Sequence, residues 1–96
     1  MKLLLIVYSG SDSRLVPALL DEHQTGGYTE LAPAHGAGST GRRQGNRAWP
    51  GNASVYFSVV PARRVDDLTT ALREEAARLE GGERLHAAVL PSESFF

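Results

Sequence analysis

The chain has 96 residues, 42% of them hydrophobic, and a formal net charge of −1. This length suits one small domain, and the thin core of such a domain favours a homo-oligomer. The near-neutral charge argues against a general nucleic-acid binder. The absence of cysteine excludes disulfides, zinc–thiolate sites and thiol chemistry. No apolar run approaches the roughly 20 residues that span a bilayer, so we expect a single cytoplasmic domain over residues 1–96.

The first half of the chain predicts a strand, a helix and a second strand. Residues 2–8 form a continuous apolar run that is too short for a signal peptide and is typical of a central strand. Residues 11–24 have helical spacing, with Asp12 or Ser13 as the N-cap, although Pro17 favours a late or distorted start. Residues 28–34 alternate as a strand, and their proline indicates a sheet edge or the end of the strand.

The second half repeats this pattern in the order strand, helix, strand. Residues 53–60 are β-branched and aromatic, which predicts a strand that Pro61 closes. Residues 64–80 carry one apolar stripe, with Glu74 and Arg78 at i,i+4 on the other face. Residues 84–90 alternate as a last strand. The stripe consists of Val65, Leu68, Leu72, Ala76 and Leu79.

The order of these elements is β-α-β-β-α-β, which predicts the α+β, ferredoxin-like fold. In that fold a four-stranded antiparallel sheet carries two helices on one face. The bare face of the sheet needs a cover, and a second subunit is the commonest one. The tail, residues 91–96, ends in two phenylalanines that a monomer has little reason to expose.

A long connection joins the second and third strands. Residues 35–52 hold five glycines and three arginines and no acidic residue. A hairpin needs only about 2–5 residues, so a connection of this length in a small domain is either functional or disordered. Glycines let the backbone approach a ligand closely, and arginines offer planar forks suited to phosphate.

The glycine run Gly36–Gly41 also matches two nucleotide-binding patterns by letter. The dinucleotide fingerprint and the phosphate loop both need a helix that starts at the glycines. Gly45, Pro50 and Gly51 prevent such a helix, and arginines stand where the phosphate loop needs lysine. We therefore interpret both matches as chance. An anion site built on Gly36, Gly38, Ser39, Thr40, Arg42, Arg43 and Arg47 remains the prediction.

Three stretches together resemble the PII signal-transduction superfamily over roughly residues 2–90. They are the strand around Tyr28-Thr29-Glu30-Leu31, the glycines Gly36-Ala37-Gly38, and the third strand Val55-Tyr56-Phe57-Ser58-Val59-Val60-Pro61. The resemblance implies a trimer whose sheets pack toward the threefold axis. It implies nucleotides in the clefts between subunits, at the base of a long T-loop, here residues 35–52. By position, Gly36 and Gly38 match the glycines at the base of that loop, whereas the arginines have no secure counterpart.

The sequence also departs from the family pattern. PII proteins carry a second glycine-rich loop, T-G-x-x-G-D-G-K, before the last strand, where this chain has only residues 79–84, LEGGER. That loop supplies phosphate contacts, so binding of ATP in the usual manner is in doubt. Residues 36–52 contain no tyrosine for uridylylation. A divergent PII-like protein is the better match, with AMP, ADP or ATP as a candidate ligand and no required cofactor.

Other functions are less well supported. His23, His35 and His86 suggest a metal site, as in trimeric metal-tolerance proteins of similar fold, but no two have close ligand spacing. Adjacent carboxylates on a helix point to different faces, which argues against a hydrolase. RNA binding would need exposed aromatic residues on the sheet and a basic surface, and the near-neutral charge of this chain argues against it. A protein-interaction module without a ligand also stays open.

We therefore expect a non-enzymatic sensor that binds an adenine nucleotide and signals through residues 35–52. Its partner would be a target enzyme or transporter, with Trp49 as a contact residue. No nucleic acid and no direct membrane insertion are expected.

Overall fold

The structure is a computed structural model that describes residues 1–23, 25–38, 41–43 and 53–96. Four long strands and two helices follow one another as β-α-β-β-α-β, as predicted, and a small ribbon of two short strands is inserted between the second and third long strands. The strands are β1 (Lys2–Ser9), β2 (Thr29–Ala34), β3 (Gly36–Gly38), β4 (Gly41–Arg43), β5 (Ala53–Val60) and β6 (Arg84–Pro91). The helices are α1 (Leu15–Glu22) and α2 (Val65–Arg78), the latter preceded by a 3₁₀ turn at Ala62–Arg64.

The four long strands form an antiparallel sheet in the order β2-β5-β1-β6. The two most apolar strands, β1 and β5, take the centre, where Leu5 stands opposite Phe57. On the other side of β1, Leu5 stands opposite Ala88 of β6. The predicted edge position of the proline-containing strand is confirmed, and the register of β2 shifts between Leu31 and Ala34, around Pro33.

Both helices pack on one face of the sheet and enclose the core. Alternation along β1 turns Leu4, Ile6 and Tyr8 toward the helices. Leu68 and Leu72 of the predicted stripe are buried against them, which confirms the orientation of α2. The other buried members of this cluster are Val16, Leu19, Leu20, Tyr56, Val60 and Leu85.

The first helix is shorter than the sequence predicts, and the predicted N-cap is wrong. The residue at the N-cap is Arg14, without a side-chain cap. Asp12 instead accepts the backbone N–H of Arg14 on its Oδ1 atom at 3.0 Å and the N–H of Leu15 on its carbonyl at 3.2 Å. These bonds hold a turn ahead of the helix. Pro17 then falls in the first helical turn, where its missing N–H has no intrahelical partner to lose.

The second helix follows the prediction closely, but its surface ion pair differs. Arg78 pairs with Glu75 at 2.8 Å rather than with Glu74. Residues three and four positions apart are both neighbours on a helix surface. Spacing alone therefore does not decide which carboxylate is used.

The other face of the sheet is apolar and uncovered by any described element. It is formed by alternate residues of all four strands, and we call it the open face. Its outer members Leu31 and Leu90 are 53% and 40% exposed. The remaining apolar members are Leu3, Leu5, Val7, Val55, Phe57, Val59 and Ala88.

Neither α1 nor α2 has the length and apolarity that a membrane-crossing helix requires.

Candidate functional site

Three connections meet at one end of the sheet, which we call the loop end. β1 and β2 finish there and β5 and β6 begin there, because Ser9 pairs with Arg84 and Ala34 pairs with Ala53. The connections after β1 and β2 begin at this end, and residues 79–83 lead from α2 back to it at the start of β6. The antiparallel order therefore places the glycine-rich connection at the same end of the sheet as the turn that precedes the last strand, with β1 between them.

The glycine run forms a ribbon and not the start of a helix. In the register of β3 and β4, Gly36 stands opposite Arg43, and Ala37 stands opposite Arg42. The interpretation of the two nucleotide-binding patterns as chance matches is thereby confirmed, since both need a helix after the glycines. The ribbon brings the backbones of four predicted site residues together: Gly36, Gly38, Arg42 and Arg43. Ser39, Thr40, Arg47 and Trp49 lie outside the described residues.

The turn before the last strand is short and carries carboxylates. Gly81 and Gly82 have φ angles of 64° and 90°, and the N–H of Glu83 donates to the carbonyl of Glu80 at 3.1 Å. Positive φ at both central residues is the signature of a type I′ turn, which glycine adopts without strain. Glu80 and Glu83 flank the glycines, so this turn offers a phosphate group negative charge instead of a lysine.

A hydrogen-bonded tyrosine ties this turn to the end of β1. Tyr8 donates its hydroxyl to Glu83 Oε1 at 3.1 Å and accepts the backbone N–H of Asp12 at 3.1 Å. Burial, and secondarily the neighbouring Glu83, raises the pKa of Tyr8. Gly10 passes so close that a Cβ atom there would overlap the Tyr8 ring and the Glu83 carboxylate. Sequence reasoning missed this network, and a tyrosine at the end of an apolar run before Ser-Gly was its only signal.

A groove of about 600 Å³ lies at the opposite end of the sheet. Its walls are the α1–β2 connection at Gly26–Thr29, the second half of β5 at residues 57–59, and Phe95 of the tail, which is 69% exposed. Gly26 and Gly27 have φ angles of 89° and 146°. The carbonyl of Gly27 accepts the Ser58 hydroxyl at 2.7 Å, which fixes this connection to β5. The groove combines apolar and aromatic walls with the hydroxyl of Thr29.

The three histidines lie on separate elements. The carbonyl of His23, after α1, accepts a guanidinium N–H of Arg64 at 3.2 Å, whereas His86 is exposed on β6. His35 lies between β2 and β3. Within the described ranges, no three His, Cys, Asp or Glu side chains come together in a way that could hold a metal ion.

The fold is similar to that of a solved PII-like protein. Over 93% of this chain and 86% of that one, the fold superposes on CPII from Thiomonas intermedia K12, a nitrogen regulatory PII-like protein bound to ADP, AMP and bicarbonate, with a TM-score of 0.70 and 23% sequence identity. The same protein bound to ADP and bicarbonate gives a TM-score of 0.69 at 24% identity, again over 93% of this chain and 86% of that one. Its apo form gives 0.63 at 19% identity over 93% and 89%.

These superpositions establish a common fold, which confirms the predicted ferredoxin-like class and the resemblance to PII-like proteins. No family model and no curated protein matches the sequence.

Proposed function

We propose that the protein is a non-enzymatic PII-like regulator that binds an adenine nucleotide between the subunits of a homotrimer. Residues 35–52 would report the bound state to a target enzyme or transporter. The open face carries this proposal, because an apolar sheet face of this extent needs a cover. The nucleotides bound to CPII, which has the same fold, support the choice of ligand.

The positions of the ribbon and the groove favour a site shared by two subunits. The two features lie at opposite ends of strands of eight residues, which extend for about 25 Å. A nucleotide cannot contact both within one chain. When copies associate through their open faces, the groove of one chain, with Tyr28 and Thr29, can lie beside the ribbon of the next. The aromatic walls suit a base and the arginine-bearing ribbon suits phosphate.

The acidic turn at Glu80–Glu83 favours a ligand held chiefly by the arginines. The turn contains no basic residue. Arg84, which follows it in the sequence, donates a guanidinium N–H to the carbonyl of Glu83 at 3.1 Å. Phosphate charge would therefore be balanced by Arg42, Arg43 and Arg47. We expect the number of phosphates tolerated to be small, with AMP or ADP preferred to ATP.

The first test is a calorimetric titration with AMP, ADP, ATP, cyclic AMP and cyclic di-AMP, with the molecular mass measured in parallel. We expect at least one of these compounds to bind a trimeric protein with micromolar affinity and without release of phosphate. Hydrolysis would show an enzyme instead, and a folded trimer that binds none of these compounds would contradict the nucleotide site.

The double variant Arg42→Ala/Arg43→Ala tests the arginines. Loss of two charged hydrogen-bonding forks should weaken nucleotide binding by about tenfold or more. Thermal unfolding should be unchanged. Arg63→Ala/Arg73→Ala removes the same charge from exposed positions outside the site and should bind as the parent does. Equal affinity of both double variants would remove Arg42 and Arg43 from the site.

A further inference from the structure

A second groove, of about 870 Å³, runs between α1 and α2 on the outer surface of the helical layer. The two helices are separated there by small side chains. Ala18 of α1 and Ala71 of α2 line the groove, and Leu15 and Leu19 form an apolar floor with them. Ala18 is exposed and Leu19 is buried, so the floor descends from the surface to the core.

The walls of this groove are acidic. Five carboxylates line it against two guanidinium groups, although the whole chain has a net charge of only −1. Arg78 is engaged by Glu75 at 2.8 Å, which leaves Glu22, Asp67 and Glu74 without an ion pair among the described residues. The remaining lining charges are Asp12 and Arg14. The groove is therefore net negative, whereas the rest of the chain carries a small positive surplus.

We propose that this groove binds a basic amphipathic helix of a partner protein. A helix laid between two others buries one apolar stripe, and the floor between α1 and α2 provides the matching surface. The unpaired carboxylates on both walls would meet lysine or arginine residues that flank such a stripe. The 14 residues of α2 span about 21 Å and the eight residues of α1 about 12 Å. A partner helix of about four turns would therefore lie along α2, with about two of its turns also in contact with α1.

This docking surface is independent of the proposed nucleotide site. It uses no residue of the ribbon or the open face, it shares only Asp12 and Arg14 with the loop end, and it stays on the outside when open faces associate. Binding here can therefore be present or absent whatever the outcome of the nucleotide titration.

A labelled synthetic peptide of about 16 residues, composed of alanine, leucine and lysine, tests the groove by fluorescence anisotropy. In one version the leucines form a single helical stripe, and in the other the same residues are scrambled. We expect the striped peptide to bind about tenfold more tightly, because only it can bury its stripe on the floor between the helices.

The triple variant Glu22→Gln/Asp67→Asn/Glu74→Gln should weaken the striped peptide by about tenfold. Asp21→Asn/Asp66→Asn/Glu93→Gln removes the same charge from exposed positions that do not line the groove and should leave binding unchanged. Equal binding of the two peptides, equal affinity of the two triple variants, or no binding of either peptide would overturn the proposal. The number of chains in the parent and groove-variant assemblies should also be the same. If the groove variant formed a smaller assembly, the occupant of the groove would be another copy of this chain, and the proposal would be overturned.

Discussion

Position 10 requires glycine because there is no space for a Cβ atom, and not because of its backbone angles. Its Cα faces the Tyr8 ring and the Glu83 carboxylate so closely that no other residue fits without displacing them. Since Tyr8 also accepts the N–H of Asp12, one added methyl group would disturb both the β1–α1 connection and the turn before β6. The loop end of the sheet is thus organised by a residue without a side chain.

We expect Gly10→Ala to lower the free energy of unfolding by about 1–3 kcal/mol, the usual range for overpacking. Urea unfolding measures it. In the Glu83→Ala background the penalty should shrink, because one of the two overlapping groups is then gone. Ser11→Ala, at an exposed neighbour, is the control and should cost less. An unchanged urea midpoint for Gly10→Ala would contradict the close packing of Tyr8 and Glu83.

Tyr8 makes the free energy of unfolding depend on pH in the alkaline range. Burial raises its pKa above the value of about 10 that it has in the unfolded chain. The folded state therefore holds the proton longer, and the stabilisation is complete below about pH 10 and is lost as the pH rises through the folded pKa. Tyr56, which is buried beside Glu30, has a raised pKa for the same first reason.

Tyr8→Phe should cost about 1 kcal/mol near neutral pH through its lost hydrogen bonds. Its free energy of unfolding should then fall less than that of the parent between pH 8 and pH 11. Urea unfolding at both pH values measures the gap between the two proteins, which should narrow at the higher pH. A gap that stays constant would mean that the Tyr8 hydroxyl is not desolvated in the fold.

At the scale of elements, predictability follows the strength of the local signal. The sequence predicts β5 with its observed bounds, because a run of β-branched and aromatic residues favours a strand and Pro61, directly after it, ends the strand. It predicts α1 too long, because the polar residues 11–14 continue the helical spacing while Asp12 uses its own oxygens to hold a turn. It does not predict β3 and β4, since strands of three residues made of glycine, alanine and arginine carry no alternation.

The candidate site divides in the same way. The glycine and arginine composition of residues 35–52 is a local signal that points to Gly36, Gly38, Arg42 and Arg43 as candidates, and their role in ligand binding stays a prediction. The contact between Tyr8 and Glu83 joins residues 75 positions apart. It depends on the register of β1 against β6 and on the type I′ turn, neither of which composition encodes. The groove between α1 and α2 likewise requires the helices to be placed side by side.

At the scale of the whole molecule, the proposed function makes the open face the link between assembly and ligand binding. β1 is apolar on both faces, so its sequence does not show which half of it contacts the helices. The burial pattern does show it, because Leu4, Ile6 and Tyr8 are buried under the helices. Leu5 therefore lies on the other face, between Phe57 and Ala88. If copies associate through this face, the ribbon of one and the groove of the next are brought together. Assembly then precedes nucleotide binding.

Phe57→Glu tests this order of events. Phe57 stands beside Leu5 near the middle of the open face and also lines the groove. A carboxylate there would be buried without a partner on association, which is strongly unfavourable. We expect the trimer of the parent to give way to a monomer in light scattering coupled to gel filtration, with far-UV circular dichroism unchanged and nucleotide binding lost.

Leu5→Glu separates assembly from direct contact, because Leu5 is on the same face but does not line the groove. It should lose the trimer and the nucleotide together, as Phe57→Glu does. Ala77→Glu, at an exposed position of α2, adds the same charge and should keep both. A monomeric variant that still bound nucleotide would place the whole site within one chain. Trimers that survived both open-face substitutions would show that the copies associate through a different surface.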